Sequence, residues 1–240
     1  MVSFDPIGYI HSCFKEKFGI PRQAGLVPEA SAILELCPPY NRQEAIRELS
    51  TFSHIWVVFL FHAVKRDGWT TTVRPPRLGG NQRIGVFASR SGFRPNPIGL
   101  SAVRLQKITY EAGTLHLHLG GGDFLDGTPV LDIKPYVPYA DSIPGAVGGF
   151  AASPPAARLD VAFSAAAEAV CRGLSSRIPQ LKAVITGMLQ CDPRPAYYHE
   201  KPVKKRFGTR IYHLVIKWEC GDHGVIVVAI DTGINEDHPL

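Results

Sequence analysis

The chain is poor in cysteine, has no long apolar run, and carries almost no acid in its two most basic stretches. Its five cysteines, Cys13, Cys37, Cys171, Cys191 and Cys220, are scattered over 240 residues and never form Cys-x-x-Cys. That spacing argues against both a disulfide framework and a zinc site. The longest apolar run, Ile55 to Phe61, is too short to cross a bilayer, and the amino terminus MVSFDPIGYI bears an early acid. A cytoplasmic protein with no membrane partner and no metal is therefore expected. No Gly-x-Gly-x-x-Gly follows the first strand-like segment, so any cofactor site is unlike that of a doubly wound nucleotide fold.

What the chain does contain is an apolar content of 45% and a net charge of +5, enough to build a core and to attract an anionic partner. The charge is unevenly spread. Lys65, Arg66, Arg74, Arg77, Arg83, Arg90 and Arg94 face one acid, Asp67, while Arg194, Lys201, Lys204, Lys205, Arg206 and Arg210 face Glu200. Trp69 and Phe93 accompany the first cluster, and Tyr197, Tyr198 and Phe207 the second. Cations interleaved with aromatics suit a surface that meets phosphates with charge and bases with stacking, although solvated charged loops have the same composition.

The first half of the chain breaks into short apolar or β-branched segments between Gly, Pro, Asn and Asp clusters: FDPIGYIHS, SAILELC, HIWVVFLFHAV, RIGVFAS, IGLSAVRLQKI, TLHLHLG and PVLDIKPYV. TLHLHLG alternates, which points Leu115, Leu117 and Leu119 inward and His116 and His118 away from the core. Asn41, Glu44, Ala45, Ile46 and Leu49 predict one short capped helix. Many strands with few helices favour a closed barrel. Past residue 142 the Gly-, Pro- and Ala-rich SIPGAVGGFAASPPAARL reads as a linker. Helical periodicity follows over Ala165–Arg172 and Ile178–Leu189, then the strands RIYHLVIKWEC and GVIVVAID joined at Gly221-Asp222-His223-Gly224. The expected class is α+β: a barrel domain over residues 1–145, a linker at 146–157, and a small mixed domain over 158–240 that packs against something larger.

Three segments carry candidate chemistry. IGVFASRSGFRPNPIGLS sets Arg94 and Asn96 before prolines, which bias both toward extended backbone and lower the entropy lost on binding. Asp126-Gly127-Thr128-Pro129 has the composition of a tight turn, whose unpaired N–H and C=O groups would cradle a polar ligand. Asp192-Pro193-Arg194-Pro195-Ala196-Tyr197 sets an arginine fork between prolines beside a tyrosine.

Together with PRQAGLV and FSHIWVVFLFH, these segments resemble, in order and over the whole length, the TrmO family of S-adenosylmethionine-dependent tRNA methyltransferases. The resemblance implies an amino-terminal barrel that holds the cofactor, a smaller carboxy-terminal domain and a homodimer. It also implies a reaction, methylation of the exocyclic nitrogen of threonylcarbamoyladenosine beside the anticodon of threonine tRNA. Carried over, it assigns the methyl donor to Gln23, Ala24, Gly25, His62, Ala63, Arg90, Leu100, Leu125, Asp126, Gly127 and Thr128. Asp192, Arg194 and Tyr197 become candidates for catalysis, and Arg94, Asn96, Lys204, Lys205 and Arg206 for holding the tRNA anticodon stem-loop. One departure is Gly92, where relatives often carry a larger residue. A barrel that binds RNA or a nucleotide without turning it over is the competing expectation.

Overall fold

The computed structural model describes residues 3–64, 68–153, 155, 159–194, 206–221 and 224–232. Six strands close a barrel in the order β1 (Gly8–Ser12), β2 (Ser31–Leu36), β7 (Thr114–Gly120), β6 (Ile98–Glu111), β3 (His54–Leu60) and β8 (Thr128–Pro135), every neighbouring pair antiparallel. Period-two alternation fills the interior: Ile10, Leu34, Val57, Leu117 and Val130 are fully buried, and Leu115 and Leu119 join them as their sequence alternation predicts. The barrel anticipated from the strand pattern is the observed one. The long β6 pairs with β3 through its first half and with β7 through its second, and a bulge between Leu105 and Lys107 bends it where the partners change. Gly99 on β6 is obligatory, since a Cβ there would lie 2.3 Å from Cζ of Phe59, whose ring crosses the barrel mouth.

The register places the ends of β1, β3 and β7 and the starts of β2, β6 and β8 at one end of the barrel. Three long loops therefore leave the same mouth: residues 13–30, 61–97 and 121–127. The middle loop contains a two-stranded clip, β4 (Thr72–Val73) against β5 (Ile84–Gly85).

A helical turn, α1 (Pro138–Asp141), leads out of the barrel, and Arg77 holds the following segment by donating to the Phe150 carbonyl at 3.1 Å and to the Ser153 carbonyl. Beyond it, β9 (Val161–Phe163), α2 (Ala165–Gly173), α3 (Leu181–Gln190), β10 (Arg206–Ile211), β11 (Leu214–Gly221) and β12 (Gly224–Thr232) build a four-stranded sheet of order β10-β11-β12-β9. Ser164 caps α2 by accepting from the Ala167 amide at 3.1 Å. Trp218, Met188, Leu181 and Ile185 fill its core, and Cys13, Phe14, Val27 and Ala30 from the first barrel loop pack into the same cluster. The small sheet therefore borrows apolar volume from the barrel side, and the Tyr212 amide seals the junction by donating to the Cys13 carbonyl at 2.7 Å.

Three local expectations fail. The helix expected after Asn41 is two 3₁₀ turns, Gln43–Ile46 and Leu49–Thr51; Arg42 stands at the first turn's cap with no side-chain cap bond, and Asn41 donates its side-chain N–H to the Gly113 carbonyl at 3.0 Å. RIYHLVIKWEC is not one strand: Tyr212 takes φ 54° and turns the chain between β10 and β11. RIGVFAS is mostly a 3₁₀ turn, with only Ile84 and Gly85 in a strand. The turn expected at Asp222-His223 lies outside the described residues.

Candidate active site

Nearly every residue assigned to the donor on resemblance falls in the three loops of one barrel mouth. From the first loop, Gln23 accepts a hydrogen bond from Arg90 Nη1 at 2.7 Å, joining it to the second loop. The Gly25 amide donates to the Gly121 carbonyl at 2.8 Å, joining it to the third. The turn after β3 is held from both sides. The Phe61 amide donates to the Pro97 carbonyl at 2.8 Å, Lys17 donates to the Ala63 carbonyl, and His62 Nδ1 lies 3.5 Å from Thr128 Oγ1. The proline-braced segment and the Asp-Gly-Thr turn therefore meet across residues 61–63.

The Leu125–Thr128 turn does not offer the N–H cradle expected of it. Its Asp126 and Gly127 amides donate to the Phe14 and Ile10 carbonyls at 2.9 and 2.8 Å, and the Thr128 amide to Leu125 at 3.2 Å. The turn is packed on the end of β1, where strand edge carbonyls consume those donors. The Asp126 carboxylate is also committed, accepting from the Ser12 amide at 2.8 Å and lying 3.1 Å from Lys15 Nζ. Leu100 is on β6 but faces away from the barrel interior, 51% exposed, the opposite side from buried Ser101.

The sequence reading passed over Asp123. Its largely buried carboxylate accepts from Ser101 Oγ at 2.7 Å and from the Ala24 amide, and it lies in the field of Arg90. Burial pushes its carboxyl above the usual range, against the opposing pull of those donors and of Arg90. It thus ties one residue from each donor loop to β6. GGDFLDG gave no clue to this, because an aspartate after glycines in a turn is ordinary composition and only tertiary packing buries it.

The loop arginines are partly occupied. Arg94 Nη1 donates to the Ser89 and Ser91 carbonyls at 3.0 and 3.3 Å, bracing its own loop, while neighbouring Asn96 is exposed. Arg194 grips Asp192 with both arms of its fork, Nε to Oδ1 at 2.7 Å and Nη2 to Oδ2 at 2.8 Å, and Asp192 adopts φ 45° in doing so. Hydrogen bonding to Asp192 raises the affinity of the guanidinium for its proton. Arg22, adjacent to Gln23, lies in the field of Asp192, so the third motif abuts the first loop. Arg206 pairs across the sheet with Glu219 at 2.8 Å. Tyr197, Lys204 and Lys205 lie outside the described residues. Among the described residues, no cluster of three or more His, Cys, Asp or Glu side chains could hold a metal, and no helix is long and apolar enough to cross a membrane.

Comparison with known proteins follows the same division. Residues 9–142 match the family model of the tRNA-methyltransferase O N-terminal domain, and residues 156–233 that of the TrmO C-terminal domain. The chain is 47% identical to a tRNA (adenine(37)-N6)-methyltransferase of Escherichia coli over 95% of its own length and 97% of the relative's. It is 49% identical to a Pseudomonas aeruginosa protein provisionally named an S-adenosylmethionine-dependent methyltransferase, covering 90% and 91% of the two chains. A crystal structure of TrmO from Pseudomonas aeruginosa superposes with a TM-score of 0.78 at 40% identity, covering 96% of this chain and 98% of that one.

Proposed function

Because the chain belongs to the tRNA-methyltransferase O family, we propose that it is an S-adenosylmethionine-dependent methyltransferase that modifies the exocyclic nitrogen of threonylcarbamoyladenosine beside the anticodon of threonine tRNA. The observation that carries this reading is the gathering of Gln23, Ala24, His62, Arg90, Asp123 and Thr128 at one barrel mouth by three separate loops. The site suits a donor that is cationic at sulfur and at its amino group: a buried carboxylate, Asp123, balances positive charge there, and Arg90 with Gln23 offers hydrogen-bond partners to a carboxylate or ribose.

The donor supplies an already electrophilic methyl group. The protein's part is alignment, and fixed geometry can lower a barrier by up to about 7–11 kcal/mol. His62 and Thr128 wall one side of the mouth, and the Arg90–Gln23 bond fixes the span between the first two loops. The acceptor nitrogen is deactivated by delocalisation, so removal or polarisation of its proton assists the transfer. In this reading Tyr197 acts on the substrate, as does the Asp192–Arg194 pair, which lies beside Arg22. Residues 1–145 hold the donor, 146–157 connect, and 158–240 recognise tRNA. A cytoplasmic homodimer is part of the same proposal, supported by the exposed apolar row Tyr139, Ile143, Val147 and Phe150, which a second copy would cover.

Nucleoside analysis of tRNA from cells lacking this protein tests the proposal. The expected product is threonylcarbamoyladenosine short of one methyl group, restored when the purified chain and S-adenosylmethionine are added back. Unaltered nucleosides with intact donor binding would instead favour a barrel that only binds.

A further inference from the structure

Phe87 and Trp69 lie side by side on the surface of the second mouth loop, 71% and 49% exposed, with ring centroids 6.2 Å apart and planes inclined by 27°. Large rings left in water are a cost that folding normally removes by burying them. Here the backbone holds them out. Phe87 rides a 3₁₀ turn anchored by buried Val86, whose amide donates to the Thr71 carbonyl at 3.0 Å. The Thr70 amide, next to Trp69, donates to the Phe93 carbonyl at 3.2 Å, and Arg83 fastens the β4–β5 clip through Thr72 Oγ1 at 2.9 Å. The Arg94 guanidinium lies 5.9 Å from the centre of the Phe87 ring.

The charge along this loop is one-sided. Between Gly68 and Tyr110 the sequence contains no Asp or Glu but carries Arg74, Arg77, Arg83, Arg90 and Arg94, the last of them against the Phe87 ring. Exposed aromatic faces on an arginine-rich loop match a partner that presents flat π surfaces on a phosphate backbone. Ser89 separates this turn from Arg90, so the platform and the donor mouth share one stiff loop.

Resting on the function proposed above, we infer that Trp69 and Phe87 form a stacking platform for an unpaired base of the RNA loop, next to the base that enters the donor mouth.

The test uses the full chain, a synthetic anticodon stem-loop and intrinsic fluorescence. Trp218 is fully buried and Trp56 half-buried, so an emission change on adding RNA reports mainly on Trp69. RNA is expected to quench the emission, and Trp69→Ala and Phe87→Ala to weaken RNA binding roughly 5- to 150-fold, the range for one lost stacking contact. Trp69→Phe keeps a ring and is expected to keep the affinity while losing the signal. All three variants are expected to bind S-adenosylmethionine as the parent does, which also shows that they fold. Parental RNA affinity in both alanine variants overturns the platform and leaves the methyltransferase reading standing. Quenching by anionic vesicles but not by RNA also overturns it. A parent chain that binds no stem-loop at all is the separate result that removes the functional reading itself.

Discussion

Asp123 and Ser101 meet at 2.7 Å where the third mouth loop folds back onto β6, and the same carboxylate holds the Ala24 amide of the first loop. One buried charge therefore fixes the relative position of two loops that share no sequence neighbourhood.

Asp123→Asn keeps the shape and an acceptor oxygen but removes the charge. Donor affinity is expected to fall about 10- to 100-fold, the range for losing a charged hydrogen-bonding partner, measured by calorimetry with S-adenosylmethionine. Burial raises the folded carboxyl above the ordinary aspartate range. Its linked stability is then complete below the unfolded value and lost as pH rises through the folded one, because the native chain holds the proton longer. The asparagine variant, which has no charge to bury, is expected to melt no lower than the parent at neutral pH and to lose that slope. In the parent, donor affinity is expected to weaken on the acid side as Asp123 takes up its proton; a variant with an unchanged acid limb would exclude Asp123 as its origin.

Arg90→Ala removes the bridge to Gln23. The two loops lose their charged tie, and the Michaelis constant for the donor is expected to rise by roughly an order of magnitude or more. Arg90→Lys is expected to recover little, since an ammonium lacks the planar fork. Steady-state kinetics at saturating RNA decides the matter.

Gly92 is a steric adaptation to Phe61. An added Cβ would lie 2.7 Å from Phe61 Cγ and 2.9 Å from its Cβ, and Phe61 stacks edge-on against Phe59 at 5.1 Å. Gly92→Ala is expected to cost about 1–3 kcal/mol by overpacking, lowering the melting temperature by about 2–4 °C for each kcal/mol. Phe61→Leu combined with Gly92→Ala should recover part of that loss. A strictly additive double-mutant cycle would show that the two residues do not press on each other.

The basic residues leading into β10 contribute unequally. Replacing Lys204, Lys205 and Arg206 together by alanine is expected to flatten the salt dependence of RNA binding, with each phosphate contact contributing a slope of about 0.7 on single strands. Arg206→Ala alone is expected to contribute least, because Glu219 already engages its guanidinium. Binding isotherms across a salt series, with donor affinity as the control, test both statements.

The linear sequence by itself determined the strands and the family. Alternation such as TLHLHLG encodes which side chains turn inward, and period-two patterning needs only local information. Gln23, His62, Arg90 and Thr128 were named through the family resemblance, not by local patterning, since their residue types alone are ordinary. Only the tertiary structure decided what those groups have left to give. The segment after Asn41 formed 3₁₀ turns with no side-chain cap, Tyr212 broke an apparently continuous strand, and the Asp126 and Gly127 amides were taken by the Phe14 and Ile10 carbonyls. Arg194 closed on Asp192, Asp123 became a buried hub, and Phe87 was held in the open beside Trp69. Arg194 reaches an aspartate only two residues away, whereas the Asp123, Asp126 and Gly127 bonds depend on which partners the barrel register brings within hydrogen-bond range. Those distances are set by the closure of six strands and the exit of three loops from one mouth, a long-range geometry that no local window of sequence contains.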